Sequence, residues 1–169
     1  MNYLIRVFPL LVLSMPLGAE ADITGKIVRV LDGDTVEILA GDVSTRVRLN
    51  GIDAPEKNQP FGQRSRQALT DIVAGKTVLA LGDKRDQYGR LLATLMINGS
   101  DINAMQVYSG MAWVYRYQGN ATVPAYLRYE QEAKIARRGL WAQKDAIEPS
   151  LWRREQKLQR RPGSESGNH

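Results

Sequence analysis

The chain has 169 residues, 43% of them apolar, which suits one domain with a real core and excludes wholesale disorder. It holds no cysteine, and its single histidine is the last residue, His169, so disulfide scaffolds, thiol catalysis, histidine metal clusters and Ser-His-Asp triads are excluded. The net charge of +5 is compatible with a polyanionic partner without demanding one, and any chemistry is left to carboxylates, Lys, Arg, Tyr or a bound metal.

Met1 to Arg6 form a short basic start, Val7 to Leu17 an apolar run, and Ala19-Glu20-Ala21 offers small residues at the two positions a signal peptidase inspects. The run falls short of the about 20 apolar residues a membrane helix needs. Residues 1–21 therefore read as a cleaved signal peptide, and the remainder as an exported protein, secreted or periplasmic, with no membrane contact after cleavage.

From Ile23 the pattern is one of short strands. Ile23–Val30, Thr35–Leu39 and Thr45–Leu49 are separated by Asp32-Gly33 and Gly41-Asp42 turns and read as an antiparallel meander. A helix of about a dozen residues starts near Pro60, with Phe61, Ser65, Ala68, Leu69 and Ile72 on one stripe and Gly75 as its stop. Two strands follow, over 77–81 and 91–97. Ser100-Asp101 can cap a short helix through Ile102, Met105 and Tyr108, and a longer helix starts at Pro124 and ends at Gly139. Residues 22–142 thus form one domain, and 143–169 read as a basic, flexible C-terminal tail. Five strands with about three helices predict an α+β, β-rich fold: a five-stranded barrel of the OB type, an architecture that habitually binds oligonucleotides.

Three stretches put charge at strand ends. Asp32-Gly33-Asp34-Thr35, taken alone, is a hairpin turn. Arg48-Leu49-Asn50-Gly51-Ile52-Asp53-Ala54-Pro55-Glu56 ends a strand in a stiffened carboxylate pair, which reads either as a solvated loop or as oxygen ligands for a hard cation. Lys84-Arg85-Asp86-Gln87-Tyr88-Gly89-Arg90 is a charged loop whose last arginine can meet a phosphate. Together they supply what phosphodiester cleavage without histidine needs: a cation on a phosphate oxygen, a base for water, and positive charge for the transition state.

On these residues the sequence resembles the thermonuclease (micrococcal or staphylococcal nuclease) family. The signature Asp-Gly-Asp-Thr, a gap, then Arg-Leu-x-x-Ile-Asp-x-Pro-Glu is met at Asp32–Ile38 and, after residues 39–47, at Arg48–Glu56. The resemblance covers roughly 23–141. The second signature, Asp-Lys/Arg-Tyr-Gly-Arg, is met except at Gln87, which replaces a cation that in the family helps hold a terminal phosphate.

The resemblance implies a calcium-dependent, sugar-nonspecific endonuclease that hydrolyses the P–O5′ bond of DNA and RNA and leaves 3′-phosphate ends. Its substrate would be single-stranded or locally melted, and the enzyme monomeric. It implies that Asp34 and Asp53 bind Ca²⁺ through carboxylates and Ala54 through its carbonyl. Glu56 would be the general base, Arg48 and Arg90 the ligands of the scissile phosphate, and Tyr88 a hydrogen-bond partner near it. In the aromatic run Met111–Tyr117, Tyr115 is the candidate for stacking on a base, while Trp113 reads equally as a stacking residue or as core. The rival reading is an OB-fold module that binds nucleic acid but has lost catalysis.

Overall fold

The computed structural model describes residues 22–160; the expected signal peptide and the last nine residues lie outside them. Five strands form the body: β1 (Ile23–Asp32), β2 (Thr35–Ala40), β3 (Val43–Leu49), β4 (Thr77–Arg85) and β5 (Leu91–Ile97). They run in the order β3-β2-β1-β4-β5 with antiparallel neighbours. A parallel pairing of β3 with β5, Val47 opposite Leu91 and Arg48 opposite Leu92, closes the sheet into a barrel. Closure follows from the alternation. Val36 and Ile38 on β2, Val47 and Leu49 on β3, and Leu91 and Leu95 on β5 all turn one face inward and are fully buried.

Among the described residues four α-helices accompany the barrel, one more than the sequence predicts. Helix α1 (Gly62–Val73) buries Ser65, Leu69 and Val73 beside β1. Helix α2 (Ile102–Tyr108) is capped by Asp101, whose Oδ1 accepts the Ala104 N–H at 2.9 Å. Its inward face differs from the expected stripe. Met105 and Tyr108 are exposed, and Asn103 and Gln106 are buried instead. Each has backbone partners that make burial tolerable: Asn103 Oδ1 accepts the Leu95 N–H, its Nδ2 donates to the carbonyls of Asn50 and Ala93, and Gln106 Nε2 donates to Gly33 and Ser65.

Helix α3 (Leu127–Ile135) stops short of the expected Gly139. Arg137 adopts a left-handed φ of 49°, Arg138 N–H donates to Ala133 O and Arg137 N–H to Lys134 O, a Schellman closure. Gly139 serves elsewhere: its amide neighbour Leu140 donates to Gly110 O, and a Cβ at 139 would lie 2.3 Å from that oxygen. In the stretch read as a tail, Pro149–Gln159 form helix α4, with proline at the start where its missing N–H costs nothing.

Candidate active site

The barrel's topology draws the three charged stretches to one place. The β1–β2 turn carries Asp32 to Thr35. The end of β3 and a short strand at Ile52–Asp53 carry Arg48 to Glu56. The β4–β5 loop carries Asp86 to Arg90, and the parallel β3–β5 seam sets it beside Arg48. Between them opens a cleft of about 650 Å³, lined by Asp34, Arg48, Asp53, Ala54, Glu56, Tyr88, Arg90 and Tyr115 but not by Trp113.

Arg48 forms the hub. Its Nη2 donates to Asp53 Oδ1 at 3.0 Å, its Nη1 donates to the Ile52 carbonyl at 3.1 Å, and the same nitrogen lies 3.4 Å from Asp34 Oδ2. Burial alone would lower its pKa, but Asp34 and Asp53 more than reverse this and hold the guanidinium charged. Asp34 is itself fixed: its Oδ2 accepts the Ala54 N–H and its Oδ1 the Thr35 hydroxyl, both at 2.9 Å. The Ala54 amide thereby joins the two acidic stretches, 20 residues apart in sequence. The Arg48 guanidinium also lies 6.0 Å from the centre of the Tyr115 ring, so Tyr115 belongs to the cleft wall.

Two carboxyl groups here resist ionisation. Asp53 is raised above an ordinary aspartate, first by burial and then by the like charge of Asp34, against the pull of its arginine partners. Asp32 is pushed up to about 7, again by burial first and Asp34 second.

The third stretch, on the β4–β5 loop, is less buried. Arg90 Nε donates to Asp86 Oδ2 at 2.7 Å, and its guanidinium sits 5.4 Å from the Tyr88 ring. Although desolvation opposes it, hydrogen bonds from the Arg90 backbone and side chain and from the Tyr88 N–H keep Asp86 below the usual aspartate range. Tyr88 is 74% exposed, so its ring is presented to whatever enters the cleft. Trp113, by contrast, is a packing residue. Its ring meets Trp141 edge-on with centroids 4.3 Å apart, and Lys134 Nζ lies 5.6 Å from it.

Glu56 is held by its own backbone. Its N–H donates to Gln59 Oε1 at 3.1 Å, and its carbonyl accepts the Gln59 N–H at 2.9 Å. A Cβ added at Gly62, the first residue of α1, would fall 1.9 Å from that carbonyl, so the helix presses directly on the Glu56 turn.

One site residue was not visible in the sequence. Arg153 of α4 reaches into the cleft, donating from Nη2 to Asp53 Oδ2 at 2.8 Å and from Nη1 to Asp53 Oδ1 at 3.1 Å and Glu56 Oε1 at 2.7 Å. No spacing signal links it to residues some hundred positions earlier.

The donor set fits a hard divalent cation. Around Asp34, Asp53 and the Ala54 backbone there are only oxygen donors, which suit Ca²⁺ rather than softer metals. Among the described residues no three acidic side chains converge on one point, so water, backbone and substrate oxygens would complete such a shell.

Comparison with known proteins places the chain in a family. The family described as staphylococcal nuclease homologue matches residues 46–143. A micrococcal nuclease of Shigella flexneri is 44% identical over 156 residues, 87% of this chain and 88% of that protein. A protein named ParB from Escherichia coli is 44% identical over 163 residues, covering 91% and 92% of the two chains. An uncharacterized endonuclease of Escherichia coli O157:H7 is 42% identical over 135 residues, 79% of this chain and 86% of that one. The chain belongs to the staphylococcal nuclease family, and its barrel is of that family's type.

Proposed function

We propose that the protein is an exported, calcium-dependent endonuclease that cuts the P–O5′ bond of DNA and RNA with little sequence preference, leaving 3′-phosphates. The observation that carries the reading is the gathering of Asp34, Arg48, Asp53, Glu56 and Arg90 around one open cleft of a nuclease-family barrel. Asp34, Asp53 and the Ala54 carbonyl would hold Ca²⁺, which supplies positive charge against a phosphate oxygen. Glu56, whose side chain is 37% exposed, takes the proton of the attacking water as its oxygen bonds to phosphorus. Arg48 and Arg90 bind the remaining phosphate oxygens and offset the charge that builds as the P–O5′ bond breaks. Tyr88 hydrogen-bonds near that phosphate, and Tyr115 offers its ring to a base. Because such contacts grip backbone rather than base edges, cleavage is sequence-tolerant and favours single-stranded or melted substrate.

Digestion of single-stranded DNA with Ca²⁺ and then with a calcium chelator, with the product ends mapped, tests this. Calcium-dependent cleavage to 3′-phosphates is expected, with Glu56→Gln and Arg90→Ala each slowed on the order of 100-fold or more. DNA that is bound yet left intact with every divalent cation would replace the enzyme by a binding module. Export rests on residues 1–21, and N-terminal sequencing of the mature protein, expected to begin at Asp22, tests it.

A further inference from the structure

Helix α4 does something in the cleft that the nuclease reading does not use. Its Arg153 guanidinium forms a two-pronged pair with Asp53 and a third hydrogen bond to Glu56, all between 2.7 and 3.1 Å. Both oxygens of Asp53 are engaged by arginine: Oδ1 by Arg48 and Arg153, Oδ2 by Arg153 alone. The two arginines differ. Arg48 is buried, with a side chain 15% exposed, and its hydrogen bonds to the Ile52 carbonyl and Asp53 lock it into the barrel seam. Arg153 is 43% exposed and comes from a helix outside the barrel. Arg153 hydrogen-bonds α4 to the cleft residues, while buried Pro149 and half-buried Trp152 seat the start of the helix on the protein.

A guanidinium so placed does what a divalent cation would do there, neutralising a buried carboxylate with charge and directed contacts. It competes with that cation for the same oxygens, since the two arginines already take three of the about four acceptor positions of Asp53. We propose that Arg153 is a displaceable stand-in for the metal: α4 guards the cleft by occupying Asp53 and Glu56, and a divalent cation must expel Arg153 to reach Asp53.

The guard has two consequences for the reaction site, and both rest on the nuclease reading. Cation affinity is scaled down to the fraction of molecules in which Arg153 is unseated, since only the opened state is competent to bind. The Glu56 oxygen is also engaged as a hydrogen-bond acceptor until the arginine leaves, so metal entry and release of Glu56 are one event. An uncharged or loosely attached helix would do neither. The exposure of the Arg153 side chain, at 43%, lets it leave the carboxylates while the start of α4 stays seated through Pro149.

Calorimetric titration of the full chain with Ca²⁺ alone, without nucleic acid, tests the exchange. Arg153→Ala is expected to tighten Ca²⁺ binding about tenfold or more, because the competitor is removed. Arg154→Ala, which deletes the same charge from the neighbouring position of the same helix, is the control and should leave affinity within about twofold, since exposed charge is screened. Hydrogen exchange supplies the second readout: in the wild type, amides of 150–158 should exchange faster when Ca²⁺ saturates the site, as the helix loses its tether. Equal Ca²⁺ affinity in wild type and Arg153→Ala overturns the guard, as does weaker affinity in the variant, which would make Arg153 a support of the site. Tighter binding in both arginine variants with unchanged exchange in α4 also overturns it, leaving only general electrostatics. If none of the proteins binds Ca²⁺, the calcium-dependent reading itself falls and takes the guard with it; in the other failures that reading stands.

Discussion

Gly33 separates Asp32 from Asp34 because nothing larger fits. The sequence suggests a turn glycine, but residue 33 does not adopt a left-handed φ; its role is space. A Cβ there would lie 1.9 Å from Ser65 Oγ and 2.8 Å from Ala54 Cβ. Neither neighbour is free to move. Ser65 Oγ donates to the Met111 carbonyl at 2.6 Å, Ala54 N–H is bound to Asp34, and Gln106 Nε2 holds the Gly33 carbonyl at 2.8 Å. Gly33→Ala should therefore destabilise the protein by about 1–3 kcal/mol, the usual cost of overpacking. It should also pull Asp34 away from Ala54. Urea unfolding reads the first effect and Ca²⁺ titration the second; an unchanged midpoint would mean the turn can open without strain. The motif's residue types were thus legible in the sequence while the reason for the glycine was not, since a close approach across 32 positions leaves no local signature.

Among the elements, α1 matters to the site less for what it buries than for where it begins. Phe61 precedes it at a left-handed φ of 75°, and Gly62 lets the first turn lie against the Glu56 carbonyl. Gln59 completes the brace, bonding Glu56 N–H through Oε1 and the Ile147 carbonyl through Nε2 at 2.6 Å. Gly62→Ala must push helix and turn apart, because the obstacle is backbone rather than a flexible side chain. With Glu56 as the base, a displacement of this kind is expected to lower kcat about 10- to 100-fold while KM changes little, since misplaced chemical groups lose rate before they lose binding. Thermal unfolding measured alongside separates this from loss of fold, and an unaltered kcat would show that Glu56 is positioned from its other side. The sequence predicted the helix, from its stripe and its Gly75 stop, but not this contact. It also missed α4 as an element. That helix carries three cationic side chains among its eleven residues and few apolar ones, so its composition resembles a solvated segment, and its Arg153 pairs with partners far away in the chain.

Over the whole molecule, the barrel and the aromatic strand beside the cleft are joined to α3 through one buried carboxylate. Glu130 is only 3% exposed, yet its Oε1 accepts the Val114 N–H at 2.9 Å and its Oε2 accepts Arg116 at 2.7 Å and Lys134 at 2.8 Å. Tyr115, the cleft tyrosine, lies between the two residues so fixed. Burial alone would raise the Glu130 pKa. The hydrogen bonds from Arg116, Lys134 and Val114 outweigh it and hold the group below the 4.5 of an ordinary glutamate. A carboxyl depressed on folding contributes stability that is present above its unfolded pKa and is lost as pH falls through the lower, folded value. Glu130→Gln should therefore cost about 2–3 kcal/mol at pH 7, where charged hydrogen bonds are exchanged for neutral ones. The gap between wild type and variant should narrow steadily below pH about 4.5 as Glu130 itself becomes neutral in both states of the wild-type chain. Urea midpoints taken from pH 7 to pH 3 measure this. A gap that stayed constant with pH would mean that the amide substitution costs packing rather than charge, and that the tie between α3 and the cleft wall is steric.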